Sequence, residues 1–168
     1  MQRESIERIF KALNDASVRY LVAGGLAVVA HGYMRFTADV DLIVDLQEGN
    51  VRRAIEALSA LGFRPRPPVP LEHFVDASAR RRWVAEKGLT VFSLHSPQHP
   101  MTEVDLFVEP PLEFETAYQS RLQVNVAPGV QATFVGYNDL VALKRRAGRA
   151  QDLVDLDQLR IIKEQTEA

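Results

Sequence analysis

Apolar residues recur along this chain in two rhythms, and the switches between them divide it into elements. Ile6, Ile9, Phe10 and Leu13 return at helical spacing behind Ser5, a suitable N-cap, which predicts an amphipathic helix over 5–16. Tyr20 to Ala23 is a short apolar run stopped by Gly24-Gly25, the mark of a buried strand ending in a turn. A short, mostly buried helix follows from Leu26 to Gly32, with Gly32 near its C-cap. Acidic and apolar residues alternate from Asp39 until Ile43 in a strand pattern that runs to Asp45. Val51, Ile55, Leu58 and Leu61 then mark a helix that Gly62 ends. Residues 64–71, RPRPPVPL, hold four prolines and read as an irregular connector.

Beyond the prolines the pattern predicts a helix with a thin apolar stripe over 76–86. Strands at 89–94 and 102–108 are separated by the turn-like HSPQHP. A short helix over 113–118 comes next, then a hairpin of 124–126 with 132–135 around Pro128-Gly129. From Tyr137 the helical rhythm returns, through Leu140, Val141, Leu143 and Lys144. Past Gly148 it resumes through Leu153, Leu156, Leu159 and Ile162. The sum is an α/β or α+β fold, a short mixed sheet of about five strands flanked by helices, with a C-terminal helical tail. No linker or repeat interrupts it, so 1–168 is expected to be a single domain, with a core over about 1–136 and C-terminal helices over about 137–165.

An apolar share of 46% and a charged share of 25% fit an ordinary globular protein. The longest apolar stretch, Leu21 to Ala30, falls well short of the roughly 20 residues that a membrane helix needs. The N-terminal MQRESIERIF has no apolar h-region, so no signal peptide is expected. The absence of cysteine excludes disulfides and thiolate metal sites and fits a cytoplasmic location. A net charge of -2 gives no sign of a nucleic-acid partner, but the charges are clustered. Arg80-Arg81-Arg82 and Lys144-Arg145-Arg146 with Arg149 are basic, whereas Asp39 to Asp45 and Asp152 to Asp157 are acidic. Such clusters suit either solvated surfaces or a cleft that combines acidic metal ligands with basic phosphate ligands.

The segment from Gly24 to Asp45 favours the cleft. Glycines lack a Cβ, so a pair placed between strand and helix lets backbone N–H groups approach a phosphate. Alone, the pair marks no more than a tight turn. Asp39 and Asp41 add chemistry, because residues i and i+2 of a strand face one side. Val40, Leu42 and Val44 then point inward while Asp39, Asp41 and Asp45 point out together. Strands disfavour aspartate, and adjacent carboxylates repel, so a bound cation such as Mg²⁺ is expected to offset the cost. The same alternation in TEVDLFVEP projects Asp105 from a second strand. Three carboxylates on neighbouring strands suit two-metal displacement at phosphorus, with Mg²⁺ or Mn²⁺ as cofactor. The histidines His31, His73, His95 and His99 show no metal-ligand spacing, and His31 reads as a hydrogen-bonded structural residue. Trp83 either stacks a base or packs.

Gly24-Gly25, thirteen intervening residues, Asp39-Val40-Asp41 and a later Asp105 together resemble the DNA polymerase β-type nucleotidyltransferase superfamily. Within it, the chain resembles small bacterial AbiEii-type nucleotidyltransferases of toxin–antitoxin systems. The tail LVALKRRAGRAQDLVDLDQL, from Leu140 to Leu159, is similar to theirs. The resemblance implies a nucleotidyltransferase fold in which Gly24 and Gly25 bind the triphosphate of an NTP. It implies further that Asp39, Asp41 and Asp105 are catalytic and ligate metal, with Asp105 helping to deprotonate the acceptor. Lys144 falls where relatives carry a phosphate-directed base, and Arg35 and Thr37 precede the acidic pair, touching phosphate or supporting the loop. Asp152 and Asp155 share a helix face and are expected to pair with Arg149 or Arg145.

The leading expectation is therefore NMP transfer to a hydroxyl of RNA or protein, within a toxin–antitoxin pair that includes a cognate partner protein. The basic clusters at 80–82 and 144–149 would contact phosphates. The alternatives are an aminoglycoside-type enzyme acting on a small molecule, with Glu103, Glu109 and Asp45 as acids for a polycation, and a non-catalytic antitoxin or binding partner.

Overall fold

A computed structural model describes residues 1–168. In chain order the elements are α1 (Arg3–Asp15), β1 (Tyr20–Val22), α2 (Gly24–Ala30), β2 (Asp39–Val44), α3 (Glu48–Ala60) and β3 (Arg64–Pro65). A 3-10 turn (Leu71–Val75) then leads to α4 (Ala77–Lys87), β4 (Val91–His95), β5 (Glu103–Phe107) and α5 (Phe114–Gln119). The hairpin β6 (Leu122–Ala127) and β7 (Val130–Phe134) precedes α6 (Tyr137–Ala147) and α7 (Ala150–Glu167). The α/β expectation holds, with a mixed sheet and terminal helices. No helix is long and apolar enough to cross a membrane.

The sheet has seven strands rather than about five, in the order β3-β4-β5-β2-β1-β7-β6. The extra edge comes from the proline-rich connector, where Arg64 and Pro65 pair with His95 and Leu94. An edge position tolerates Pro65 because one side of the strand has no partner to bond. Helix α2 starts at Gly24, not at Leu26, so the glycine pair forms the first turn of the helix itself.

Strand register sorts side chains onto two faces. Val22 lies opposite Leu42, Leu42 opposite Leu106, and Leu106 opposite Phe92. Register partners share a face, so these residues form one apolar layer. Phe10 of α1 stacks on Tyr20 at 5.8 Å between ring centroids and meets Phe134 at 6.4 Å. Trp83 of α4 stacks on Phe92 at 5.0 Å, so it is a packing residue. This side of the sheet is the drier half of a continuous core of 38 buried residues. The intervening positions, including Asp39, Asp41 and Asp105, face the other way, toward α2, α6 and α7.

That division corrects the expectation for Arg80-Arg81-Arg82. They sit on the helix that covers the apolar layer, across the sheet from the acidic residues. Arg80 is itself buried and donates to the carbonyls of Phe74 and Val75, which the 3-10 turn leaves without regular partners.

Candidate active site

The site begins with a register. Strands β2 and β5 are parallel, with Asp41 opposite Asp105 and Asp39 opposite Glu103. Since Asp39 and Asp41 are two apart on one strand, all three aspartates project from the same face. Burial, then the neighbouring charges of Asp105 and Asp39, push the Asp41 carboxyl up to about 6. Lys144 and Arg149 act against this but do not cancel it. Asp39 is raised as well, by burial and by Asp105 and Glu103. Asp105 Oδ1 is buried with no hydrogen-bond partner. An unpaired buried carboxylate oxygen is costly, and acids displaced from their ordinary range beside a cleft are a common mark of a functional site.

The glycine turn lies directly over these groups. Gly24 has φ +63°, and a Cβ there would fall inside the Asp41 carboxylate. The close approach and the left-handed backbone both require glycine. At Gly25 a Cβ would lie 2.6 Å from Arg35 Nη2 and 2.6 Å from Thr37 Oγ1. The Arg35 and Thr37 polar ends therefore hang over the Gly25 backbone, at the start of a helix whose first N–H groups have no intrahelical acceptor. Arg35, Thr37 and the glycine pair meet in one place, beside Asp39 and Asp41.

Lys144 reaches the same place but is occupied. It is only 4% exposed, and its Nζ lies 2.8 Å from both Asp152 Oδ1 and Asp155 Oδ2. Asp155, fully buried, also lies 3.0 Å from Arg35 Nε, while Arg149 Nε sits 2.9 Å from Asp152 Oδ2. Burial pushes the Asp152 carboxyl up, but hydrogen bonds from Lys144 and Arg149 outweigh it and hold the group below its usual range. The expected partner Arg149 is thus found on Asp152, whereas Arg145 takes no part. The pairing of Asp155 with Lys144 and Arg35 had no local signal, since Arg35 lies far away in sequence.

Other expected acids are elsewhere. Asp45 does not join Asp39 and Asp41, because it lies past the end of β2, where Arg19 Nη1 pairs with it at 2.8 Å. Glu103 is paired with Arg66, and Glu109 is exposed on the loop after β5. His31 Nε2 lies 2.9 Å from the Val135 carbonyl, in the structural role expected of it.

The carboxylates stand between two lobes of one cleft. The polar lobe, about 350 Å³, is lined by Gly25, Arg35, Thr37, Asp39 and Gln151. The larger lobe, about 490 Å³, is walled by Val91, Phe107, Pro111, Leu140 and Leu143. Gly24, Asp41, Asp105 and Lys144 border both. Hard oxygen donors with an orphaned buried oxygen among them suit Mg²⁺ or Mn²⁺ in chemistry. Their side chains are not drawn together into a closed cage of three ligands.

The protein family described as "Nucleotidyltransferase of unknown function (DUF6036)" matches residues 3–166. No curated protein matches the chain. Among solved structures, the chain is similar to the lincosamide antibiotic adenylyltransferase LnuA, determined with lincomycin bound. The TM-score is 0.62 at 14% identity, over 96% of this chain and 98% of that one. It is similar also to an antigenic nucleotidyltransferase-like protein from Paracoccidioides brasiliensis, with a TM-score of 0.57, 15% identity, and coverage of 94% and 74%. At such identities these two likenesses bear on the fold, and the fold is that of a nucleotidyltransferase. The family match spans nearly every residue, and the chain belongs to this nucleotidyltransferase family.

Proposed function

We propose that the chain transfers a nucleoside monophosphate from an NTP to an acceptor hydroxyl, releasing pyrophosphate, at Asp39, Asp41 and Asp105. The observation that carries this reading is the opposition of Asp41 and Asp105 beneath a glycine that leaves no room for a Cβ. Backbone N–H groups of Gly24 and Gly25, with Arg35 and Thr37, receive the triphosphate and hold it against the carboxylates. The Asp105 carboxylate, which lines the cleft, takes the proton of the attacking hydroxyl. Divalent metal held by Asp39, Asp41 and Asp105 would supply Lewis-acid stabilisation of the phosphates and acidify the acceptor. Lys144 serves by holding Asp152 and Asp155, and through Asp155 the Arg35 guanidinium, in place of a direct contact with phosphate.

The acceptor is read as a small molecule. The chain matches LnuA, whose name states an antibiotic acceptor, over nearly the whole of both. The arginines at 80–82 lie across the sheet and give a macromolecular acceptor no phosphate contacts at the cleft. The toxin–antitoxin reading, with its AbiEii-type likeness and its RNA or protein acceptor, is the alternative. It requires a stable partner protein.

The test is incubation with each α-labelled NTP, Mg²⁺ or Mn²⁺, and a lysate separated afterwards into RNA, protein and small-molecule pools. Label is expected in the small-molecule pool with wild-type protein and nowhere with Asp41→Ala. Equal transfer by Asp41→Ala would reject the site. Label on RNA or protein would restore the alternative.

A further inference from the structure

The two lobes of the cleft differ in chemistry, and the reaction geometry assigns them. Displacement at the α-phosphorus places the attacking and leaving oxygens roughly in line, on opposite sides of the atom. Gly25, Arg35 and Thr37 gather the polar groups on one side of Asp41 and Asp105. Pyrophosphate must leave in that direction. The hydroxyl must then arrive from the other side, where Thr90, Val91, Phe107, Pro111, Leu140 and Leu143 form the wall.

We propose that this apolar lobe is the acceptor subsite, and that it takes a hydroxyl-bearing small molecule with an apolar face and at most one positive charge. The inference rests on the nucleotidyl-transfer reading above and deepens it. A volume of about 490 Å³ lies within the usual range for sites that enclose a drug-sized molecule. Its wall offers aliphatic groups from β4 and α6 and one aromatic ring, Phe107.

The acids available to a polycation are few. Asp152 is already paired with Lys144 and Arg149, and Asp41 and Asp105 belong to the reacting centre. Glu103 and Asp45 are paired outside the lobe. Arg146 closes one rim, its Nη1 donating to the Pro111 carbonyl at 2.6 Å, and adds positive charge there. A molecule with several amines meets repulsion from this rim, and every carboxylate lining the lobe is either ion-paired or part of the reacting centre.

In the proposed step the acceptor oxygen forms a bond to the α-phosphorus and the bond to the bridging oxygen breaks. That oxygen keeps the electron pair and departs as pyrophosphate into the polar lobe. The acceptor proton passes to the Asp105 carboxylate, which lines the lobe.

The experiment narrows the lobe without touching the polar side. Val91→Trp fills it from the sheet, and Ala147→Trp does so from an exposed rim position at the end of α6, outside the buried core. Two readouts are compared in wild type and both variants. The first is calorimetric affinity for the α,β-methylene analogue of the preferred NTP with Mg²⁺. The second is transfer of label to the small-molecule pool, with kanamycin and a short RNA as competitors.

The expected result is nucleotide affinity within about twofold of wild type, with transfer reduced at least about tenfold and no competition by either competitor. Nucleotide affinity that falls with transfer would place the nucleobase in the lobe and overturn the assignment. Competition by kanamycin or RNA would overturn the stated acceptor class. If no wild-type transfer occurs at all, the reading of the site as a transferase fails, and the calorimetric comparison still judges the lobe.

Discussion

Two aspartate pairs lie at or just behind the same cleft, one fully and one partly buried, and they have opposite fates. Asp152 and Asp155, three apart on α7, are met by Lys144, Arg149 and Arg35. Asp41 and Asp105, opposed across β2 and β5, are met by no salt bridge. The Asp152 carboxyl is held below its ordinary range, whereas Asp41 is pushed up to about 6. One pair is balanced by the chain's own cations and fixes helices in place. The other is left for a ligand to balance. Buried acidity alone therefore does not single out the proposed reacting centre; uncompensated acidity does.

The comparison breaks most sharply at Asp41. Asp41→Asn is expected to lower nucleotide transfer on the order of 10³-fold, by loss of a charge that acts only with bound phosphate and metal. The same change should stabilise the metal-free protein by about 3 kcal/mol at neutral pH, since about 1.4 kcal/mol accompanies each unit of the displacement from 3.8 to about 6. The sign follows from a folded pKa above the unfolded one. Stability linked to Asp41 is full below about 3.8 and is lost as pH rises through about 6. Urea denaturation without metal should therefore show a fall in wild-type stability across that window that Asp41→Asn lacks.

Lys144→Met attacks the balanced pair and should destabilise the fold by about 3–5 kcal/mol in the same denaturation, because two buried carboxylates lose their shared cation. A smaller loss would mean that water reaches Asp155 when the lysine is removed. Gly24→Ala joins the two regions. Its methyl group collides with the Asp41 carboxylate in a backbone conformation that alanine disfavours, at a cost of about 1–3 kcal/mol. Calorimetry should show weakened NTP affinity as well. Arg149→Ala removes only the exposed partner of Asp152, whose side chain is 76% accessible, and should shift stability by less than about 1 kcal/mol.

Much of this was legible in the residues. Alternation alone placed Asp39, Asp41 and Asp105 outward from strands with buried opposite faces, because a period of two is a local property. Gly24-Gly25 was legible for a similar reason, since few residues but glycine stop a buried strand that way. The partners of Lys144 were not. Lys144 and Asp155 meet only because Gly148 turns α6 into α7, and Arg35 joins them from another part of the chain. The side of the sheet taken by Arg80 to Arg82 was equally hidden, since a helix sequence states which of its faces is apolar, not which layer it covers. The connector at 64–71 looked wholly irregular because prolines hide an edge strand as short as Arg64–Pro65.

The parallel register of β2 and β5 has a consequence for how the protein is made. A slip of one residue would turn Asp105 toward Phe92 and Leu42 and swing Leu106 out into the cleft. Such a chain would bury a naked charge in its oiliest layer and would not persist. Misassembled copies are thus self-eliminating, and a preparation that survives refolding should be uniformly competent rather than a mixture of working and idle molecules.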